Sequence, residues 1–260
     1  METKKKQSTS GPSPPTHDAW PPWWRAKIGA ILPSVDLVTL HENQFVLPRG
    51  VAVQPTRVML KETTPEALKK SSEEVLYAAE LLATVNPDVV TYHCTSGTII
   101  KGAEYERDLI HKITEISGAK ATSMAFAITK AFEFLDAKKI IVVSPYLDEI
   151  VEAEERYFES FGFKTVLSET MRIPDPLAVM ARPPWENYRF TLNAYNKAPE
   201  ADLTLISCGA LRSIEIIEHL ELQTEKPVVS SNLCDVWHCL KLAGIKEPIY
   251  GCGSLLAKER

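Results

Sequence analysis

Asp88-Val89-Val90-Thr91-Tyr92-His93-Cys94-Thr95-Ser96-Gly97-Thr98 is answered in the second half of the chain by Asp202-Leu203-Thr204-Leu205-Ile206-Ser207-Cys208-Gly209-Ala210. In each stretch an Asp stands six positions before a Cys, with an apolar, β-type run between them. In each, small or hydroxylic residues that can open a helix follow the Cys at once. A strand–Cys–helix unit used twice can present two thiols from opposite sides of one pocket. Two facing acid/base groups suit an enzyme that removes a proton from one face of a carbon and returns it to the other.

Working outward, segments alternate between strand-like and helix-like patterns. Before the first unit come short apolar runs at 28–32 and 57–60 and a long helical pattern over 65–85. After it come a helix over 99–117, a strand at 121–124 and a helix over 125–136. The series then restarts. Strands are expected at 139–143, 164–167, 203–207 and 227–230, with helices over 148–161, 185–197, 213–222 and 234–243 and a last short strand at 249–250. Residues 123–138 and 231–246 echo each other, each running from a strand end through a helix to a turn with Lys. This β/α alternation predicts α/β architecture, with parallel sheets covered on both faces by helices. The restart predicts two similar lobes. The expected division is a disordered or arm-like tail over 1–24, a first lobe over 25–138, a second over 139–231, and a C-terminal helix and strand over 232–260 returning to the first lobe.

Bulk properties narrow the function classes. The chain has 260 residues, 45% hydrophobic and 24% charged, as in ordinary globular proteins. A net charge of -5 leaves no basic footprint for nucleic acid. No apolar stretch approaches the ~20 residues of a membrane span. Lys4, Lys5 and Lys6 precede a polar, Pro-rich stretch instead of the apolar core of a signal peptide. Five cysteines are an odd number, which argues against a disulfide framework and for a reduced, cytoplasmic setting. Trp20, Trp23 and Trp24 are read as surface aromatics of an arm, with a homo-oligomer contact as the alternative.

Ligands of parallel α/β sheets bind beyond the carboxyl ends of strands. Cys94, Cys208, Pro33, Ser34, Ser123 and Tyr146 all fall at such ends. A helix start favours the thiolate of a cysteine placed there, so one thiol is expected as base or nucleophile and the other as acid. Thr95, Ser96, Tyr146 and the Gly209 N–H form a second constellation that could hold a carboxylate and, better, the enediolate that develops from it. Other chemistry lacks a signal. There is no Gly-rich phosphate loop. The histidines, and Cys234 and Cys239 around His238, lack metal-ligand spacing. His93 is expected behind the site because strand neighbours face opposite ways. Glu215, Glu218 and His219 read as a solvated helix face.

Taken together, these motifs resemble the aspartate/glutamate racemase superfamily, and most closely its arylmalonate decarboxylase and maleate isomerase branch. The resemblance covers about residues 25–255. It is carried by Gly29-Ala30-Ile31-Leu32-Pro33, Cys94-Thr95-Ser96, Ser144-Pro145-Tyr146, Ser207-Cys208-Gly209 and Pro227-Val228-Val229-Ser230-Ser231. It implies two pseudo-symmetric flavodoxin-like lobes with the site between them, and no metal or organic cofactor. It implies that Cys208 delivers a proton and that Thr95, Ser96, Tyr146 and Gly209 hold the carboxylate and enediolate. The position matching Cys94 is glycine in arylmalonate decarboxylases and cysteine in racemases and maleate isomerases. Maleate isomerases carry an asparagine where this chain has Asp36, and another near 174–176. An anionic Asp36 would repel a second carboxylate unless it is protonated or turned away. Leu177 and Met180 are candidate apolar walls.

The expected function is a cofactor-independent isomerase or racemase acting next to the carboxylate of a small mono- or dicarboxylic acid. Cys94 and Cys208 are expected to be catalytic, and Thr95, Ser96, Tyr146, Gly209, Pro33 and Asp36 to bind substrate. The alternatives are a decarboxylase of a substituted malonate with Cys208 as proton donor, and a non-catalytic carboxylate-binding protein. No nucleic acid or membrane partner is expected.

Overall fold

The computed structural model describes residues 21–71 and 74–259, so most of the expected N-terminal tail, with Trp20, lies outside the described residues. Two four-stranded parallel sheets form the framework. The first half supplies β1 (Ala26–Pro33), α1 (Thr39–Val46), β2 (Val51–Val58), α2 (Pro65–Ser71), α3 (Val75–Ala83), β3 (Val89–Tyr92), α4 (Thr95–Ile99), α5 (Ala103–Ser117), β4 (Lys120–Ser123) and α6 (Met124–Phe134). The second supplies β5 (Lys139–Ser144), α7 (Asp148–Ser160), β6 (Lys164–Thr170), α8 (Pro176–Ala181), α9 (Pro184–Lys197), β7 (Leu203–Ile206), α10 (Ile214–Thr224), β8 (Val228–Ser230), α11 (Ser231–Leu242) and α12 (Ser254–Ala257). Strand order is β2-β1-β3-β4 in one sheet and β6-β5-β7-β8 in the other, the same arrangement twice.

The repeated Asp has a structural task in each lobe. Asp88 Oδ2 accepts from the Lys27 N–H at 2.7 Å, and the Asp88 N–H donates to Lys27 O at 2.8 Å. Asp202 Oδ2 accepts from the Lys138 and Lys139 N–H groups, and the Asp202 N–H donates to Lys139 O. Each Asp thus clips the entry of the third strand of its lobe to that of the central strand. The exits match as well. The His93 N–H donates to Ile31 O at 2.9 Å and the Ser207 N–H to Val143 O at 2.8 Å. Tyr92 and Ile206 are the last paired residues, so each cysteine stands two positions beyond its strand.

Several boundaries differ from expectation for local reasons. The helical pattern over 99–117 is cut into α4 and α5 by Gly102 at φ 86°, a left-handed backbone suited to glycine. The strand expected at 57–60 lies mostly earlier, as β2, an edge strand that tolerates Pro55. No strand forms at 249–250; the Ile249 N–H donates to Leu256 O, and the C-terminal segment closes on α12. Trp23 and Trp24 are exposed.

The halves are tied together by buried polar contacts. Glu42 on α1 accepts from the Ser213 and Ile214 N–H groups at the start of α10 and from Asn232 Nδ2 on α11. Helix α11 adds Leu233, Val236, Trp237 and Leu240 to a hydrophobic cluster that both halves share, with Ile128 and Phe132 of α6 and Val228 and Val229 of β8 among its members. On the first sheet, its Asp235 meets Thr91 and His93, and its His238 meets Thr122. Among the described residues no helix is long and apolar enough to cross a membrane.

Candidate active site

Beyond the carboxyl ends of both sheets lies a pocket of about 420 Å³, its open mouth included. Cys94, Thr95 and Ser96 enter it from the β3–α4 junction, Cys208 and Gly209 from the end of β7, Tyr146 from the end of β5, and Pro33 and Asp36 from the end of β1. All eight residues expected to be catalytic or to bind substrate therefore border one cavity, whereas the strand-end residues Ser34 and Ser123 do not. Leu60, Pro176 and Met180 supply apolar wall, whereas Leu177 is exposed and stands outside it. Among the described residues no lysine or arginine lines the pocket. Arg212 pairs with Glu215 at 2.7 Å, and Ser123 donates to the buried Glu106. The Ser34 hydroxyl is bonded to the main chain of Leu60.

Both thiols are harder to ionise than their position suggests. Burial pushes Cys94 above the usual thiol range, opposed by the Gly97 N–H and by the Tyr92 and Ser96 hydroxyls. Burial pushes Cys208 up to about 12, opposed by the Ala210 N–H and the Tyr146 hydroxyl; charge on Cys94 or Asp36 would raise it further. Only Cys94 stands at the expected helix start, as N-cap of α4; a turn follows Cys208 and α10 begins only at Ile214, and at both thiols the nearby N–H donors are outweighed by desolvation. Tyr146 is nearly fully buried and held well above its ordinary value by burial and by neighbouring charge on Cys208, so it remains a donor.

Cys208 has φ 114°, a conformation that side chains other than glycine adopt only under constraint. The constraint is visible on both sides. The Cys208 N–H donates to Ser231 Oγ at 3.0 Å, and the preceding Ser207 donates its hydroxyl to buried Glu154. Ser231 also accepts from Thr95 Oγ1 at 3.0 Å, so one hydroxyl links the two cysteine motifs across the lobes. Its role was not anticipated, although it closes the motif at 227–231. The Gly209 carbonyl is taken by Asn232 Nδ2 at 3.1 Å.

Asp36 is turned toward the chain. Its Oδ1 accepts from the Val38 and Thr39 N–H groups at 2.8 and 2.9 Å, and its Oδ2 from the Thr39 hydroxyl. This local Asx-type capture orders the approach to α1. His93 was expected behind the site, but it is among the residues that line the pocket; its Nε2 lies 2.8 Å from Asp235 Oδ2, and its buried Nδ1 has no hydrogen-bond partner among the described residues. All five cysteines are free, and among the described residues no cluster of three or more His, Cys, Asp or Glu side chains is disposed to hold a metal ion.

The family model for arylmalonate decarboxylase matches residues 28–256, and the chain belongs to that family. The chain is 25% identical over 243 residues to a maleate isomerase of Pseudomonas putida, covering 89% of this chain and 97% of that protein. It is 25% identical over 185 residues to the arylmalonate decarboxylase of Bordetella bronchiseptica, covering 71% and 77%. A solved structure of a Nocardia farcinica maleate cis-trans isomerase mutant, carrying a covalently bound succinylcysteine intermediate, superposes with a TM-score of 0.85 at 22% identity, over 90% of this chain and 99% of that one.

Proposed function

We propose that this member of the arylmalonate decarboxylase family is a cofactor-independent isomerase or racemase that acts at the carbon next to a carboxylate, using Cys94 and Cys208. The observation that carries the reading is that both thiols border one inter-lobe pocket. Cys208, held up to about 12, keeps its proton and is the acid. Cys94, whose ionised form the nearby Gly97 N–H and Tyr92 and Ser96 hydroxyls favour against burial, is the group that ionises.

On a cis-alkene acid, the Cys94 thiolate forms a C–S bond to one alkene carbon. The electron pair of the double bond passes toward the carboxylate as an enediolate, and Cys208 protonates the adjacent carbon. Rotation about the resulting single bond precedes the reverse steps, in which the Cys208 thiolate recovers its proton and Cys94 departs. On a chiral α-proton acid, Cys94 removes the proton from one face and Cys208 protonates the other. Ser96, Tyr146, the Gly209 N–H and the Thr95–Ser231 pair receive the carboxylate. Preorganised donors of this kind contribute about 3 kcal/mol each where developing charge has been measured. Pro33 shapes the wall. Asp36, with its carboxylate engaged by α1, is compatible with a second polar group at a distance. Segment 232–260 is read as returning to the first lobe, and five free thiols suit a cytoplasmic setting.

The apolar wall of Leu60, Pro176 and Met180 favours one second reading, decarboxylation of a substituted malonate. A carboxylate placed against that wall is desolvated, which favours loss of CO2, and Cys208 then protonates the enediolate. The test is a panel of maleate, 2-aryl acids and arylmalonates in deuterated buffer, followed by NMR. Change of alkene geometry, or deuterium at an intact α-carbon, supports the main reading. CO2 release supports the second. Binding without turnover of any member refutes both and leaves a carboxylate-binding protein.

A further inference from the structure

Tyr92 carries a buried polar group near the pocket that has no evident partner. It ends β3, is fully buried, and is absent from the pocket wall, so it does not touch substrate. A Cβ placed on Gly97 would lie 2.6 Å from the Tyr92 hydroxyl and 2.9 Å from Cys94 Sγ, so these two atoms crowd the same side of that glycine. Any larger residue at 97 would push between them. The Tyr92 hydroxyl makes no well-aligned hydrogen bond among the described residues. The hydroxyl of Ser71, nearly fully buried on α2, is in the same condition. The groups within the tyrosine's reach are Cys94 on one side and Ser71 on the other.

A buried donor without an acceptor is costly and calls for an explanation. A neutral thiol is a weak acceptor, whereas a thiolate accepts strongly. We propose that Tyr92 is a positioning residue for Cys94: its hydroxyl, backed by Ser71, engages the sulfur when Cys94 ionises and so selectively stabilises the reactive form. The inference deepens the two-thiol reading and rests on it for its meaning in turnover. An interaction absent in the resting thiol and present in the thiolate acts on the chemical step, not on substrate binding. It also gives the lobes matched devices, since Tyr146 stands to Cys208 as Tyr92 stands to Cys94. The two differ in access: Tyr146 borders the pocket, and Tyr92 serves the thiol alone.

The other titratable groups around Cys94 act differently. Asp36, beyond β1, disfavours the thiolate. Cys208 and Tyr146 face the thiol across the pocket, Tyr105 on α5 lies nearer Tyr92, and His93 is engaged by Asp235.

The test is Tyr92→Phe in the full-length protein, reading iodoacetamide alkylation of Cys94 and Cys208 separately by peptide mass spectrometry from pH 6 upward. Loss of one hydrogen bond to an ionised group should move the Cys94 profile up by about one pH unit or more, a tenfold slower reaction at fixed pH on the rising limb. The Cys208 profile should stay in place. Once a substrate is in hand, kcat should fall with the Cys94 shift and KM should hold. A Cys94 profile identical to wild type overturns the proposal, as does a common shift of both cysteines, which would mark a merely structural role. If Tyr92→Phe does not yield folded protein, Ser71→Ala carries the test. An upward shift confined to Cys94 supports the proposal, and an unmoved profile overturns it. Because alkylation needs no turnover, failure of the proposed reaction and failure of this inference are read separately.

Discussion

Replacing Glu154 by Gln should remove a large pH dependence of stability. Glu154 sits on α7, fully buried, with Oε1 accepting the Ser207 hydroxyl and Oε2 unpartnered among the described residues. Burial pushes its carboxyl from 4.5 up to about 8, with the Ser207 bond opposing. Between those values the folded protein keeps a proton that the unfolded chain has lost, so stability falls as pH rises. The contribution is fully present below pH 4.5 and gone above about pH 8. At about 1.4 kcal/mol per unit, the interval amounts to roughly 4–5 kcal/mol. Gln keeps an acceptor for Ser207 and does not titrate. Urea denaturation of both proteins at pH 4.5, 6.5 and 8.5 reads the effect. The Gln protein should gain on wild type by several kcal/mol across that range, whatever constant offset its amide introduces. Parallel stability–pH curves for the two proteins would refute the reasoning. Activity at neutral pH should change little, because Ser207 and hence Cys208 remain held.

Glu42→Ala should destabilise the protein by about 2–4 kcal/mol, since it strands the Ser213 and Ile214 N–H groups and Asn232 in the interface between halves; thermal melts unchanged from wild type would count against that clasp. The rate of the proposed reaction should still be rising at pH 9, because ionisation of Cys94 is held above the ordinary thiol range by burial. A pH–rate plateau reached by pH 7 would mean that a different group, or a substrate-induced thiolate, sets the limb. Cys208→Ala should abolish turnover under either chemistry, as seen by product NMR, because the Tyr146 hydroxyl beside that sulfur is held well above its ordinary value by burial and keeps its proton.

The cysteine motifs were legible because two kinds of information coincide in them. The Asp six positions upstream is a structural clip, and the apolar run between is a buried strand, so Asp88–Cys94 and Asp202–Cys208 reveal both the fold and the site. Helix α1 was not legible. Its buried residues include Thr39, Glu42 and Asn43 while Phe45 is exposed, which inverts the pattern that periodicity detects. That inversion exists because α1 faces polar groups of the other lobe, contacts that no local spacing encodes. The same holds for Ser231, whose partners Thr95 and Cys208 are remote in sequence. The elevated thiol pKa values also lay beyond local reasoning. A helix start is visible in sequence, but the burial that outweighs it belongs to the assembled pocket.

The central claim, two thiols acting together on one substrate in one pocket, is tested most directly by comparing wild type and Cys94→Gly in deuterated buffer, with proton NMR of the carboxylic acid that wild type isomerises or racemises. The account predicts that isomerisation, or α-deuterium exchange, falls by orders of magnitude on loss of the Cys94 sulfur. Full retention of that activity in Cys94→Gly would contradict it.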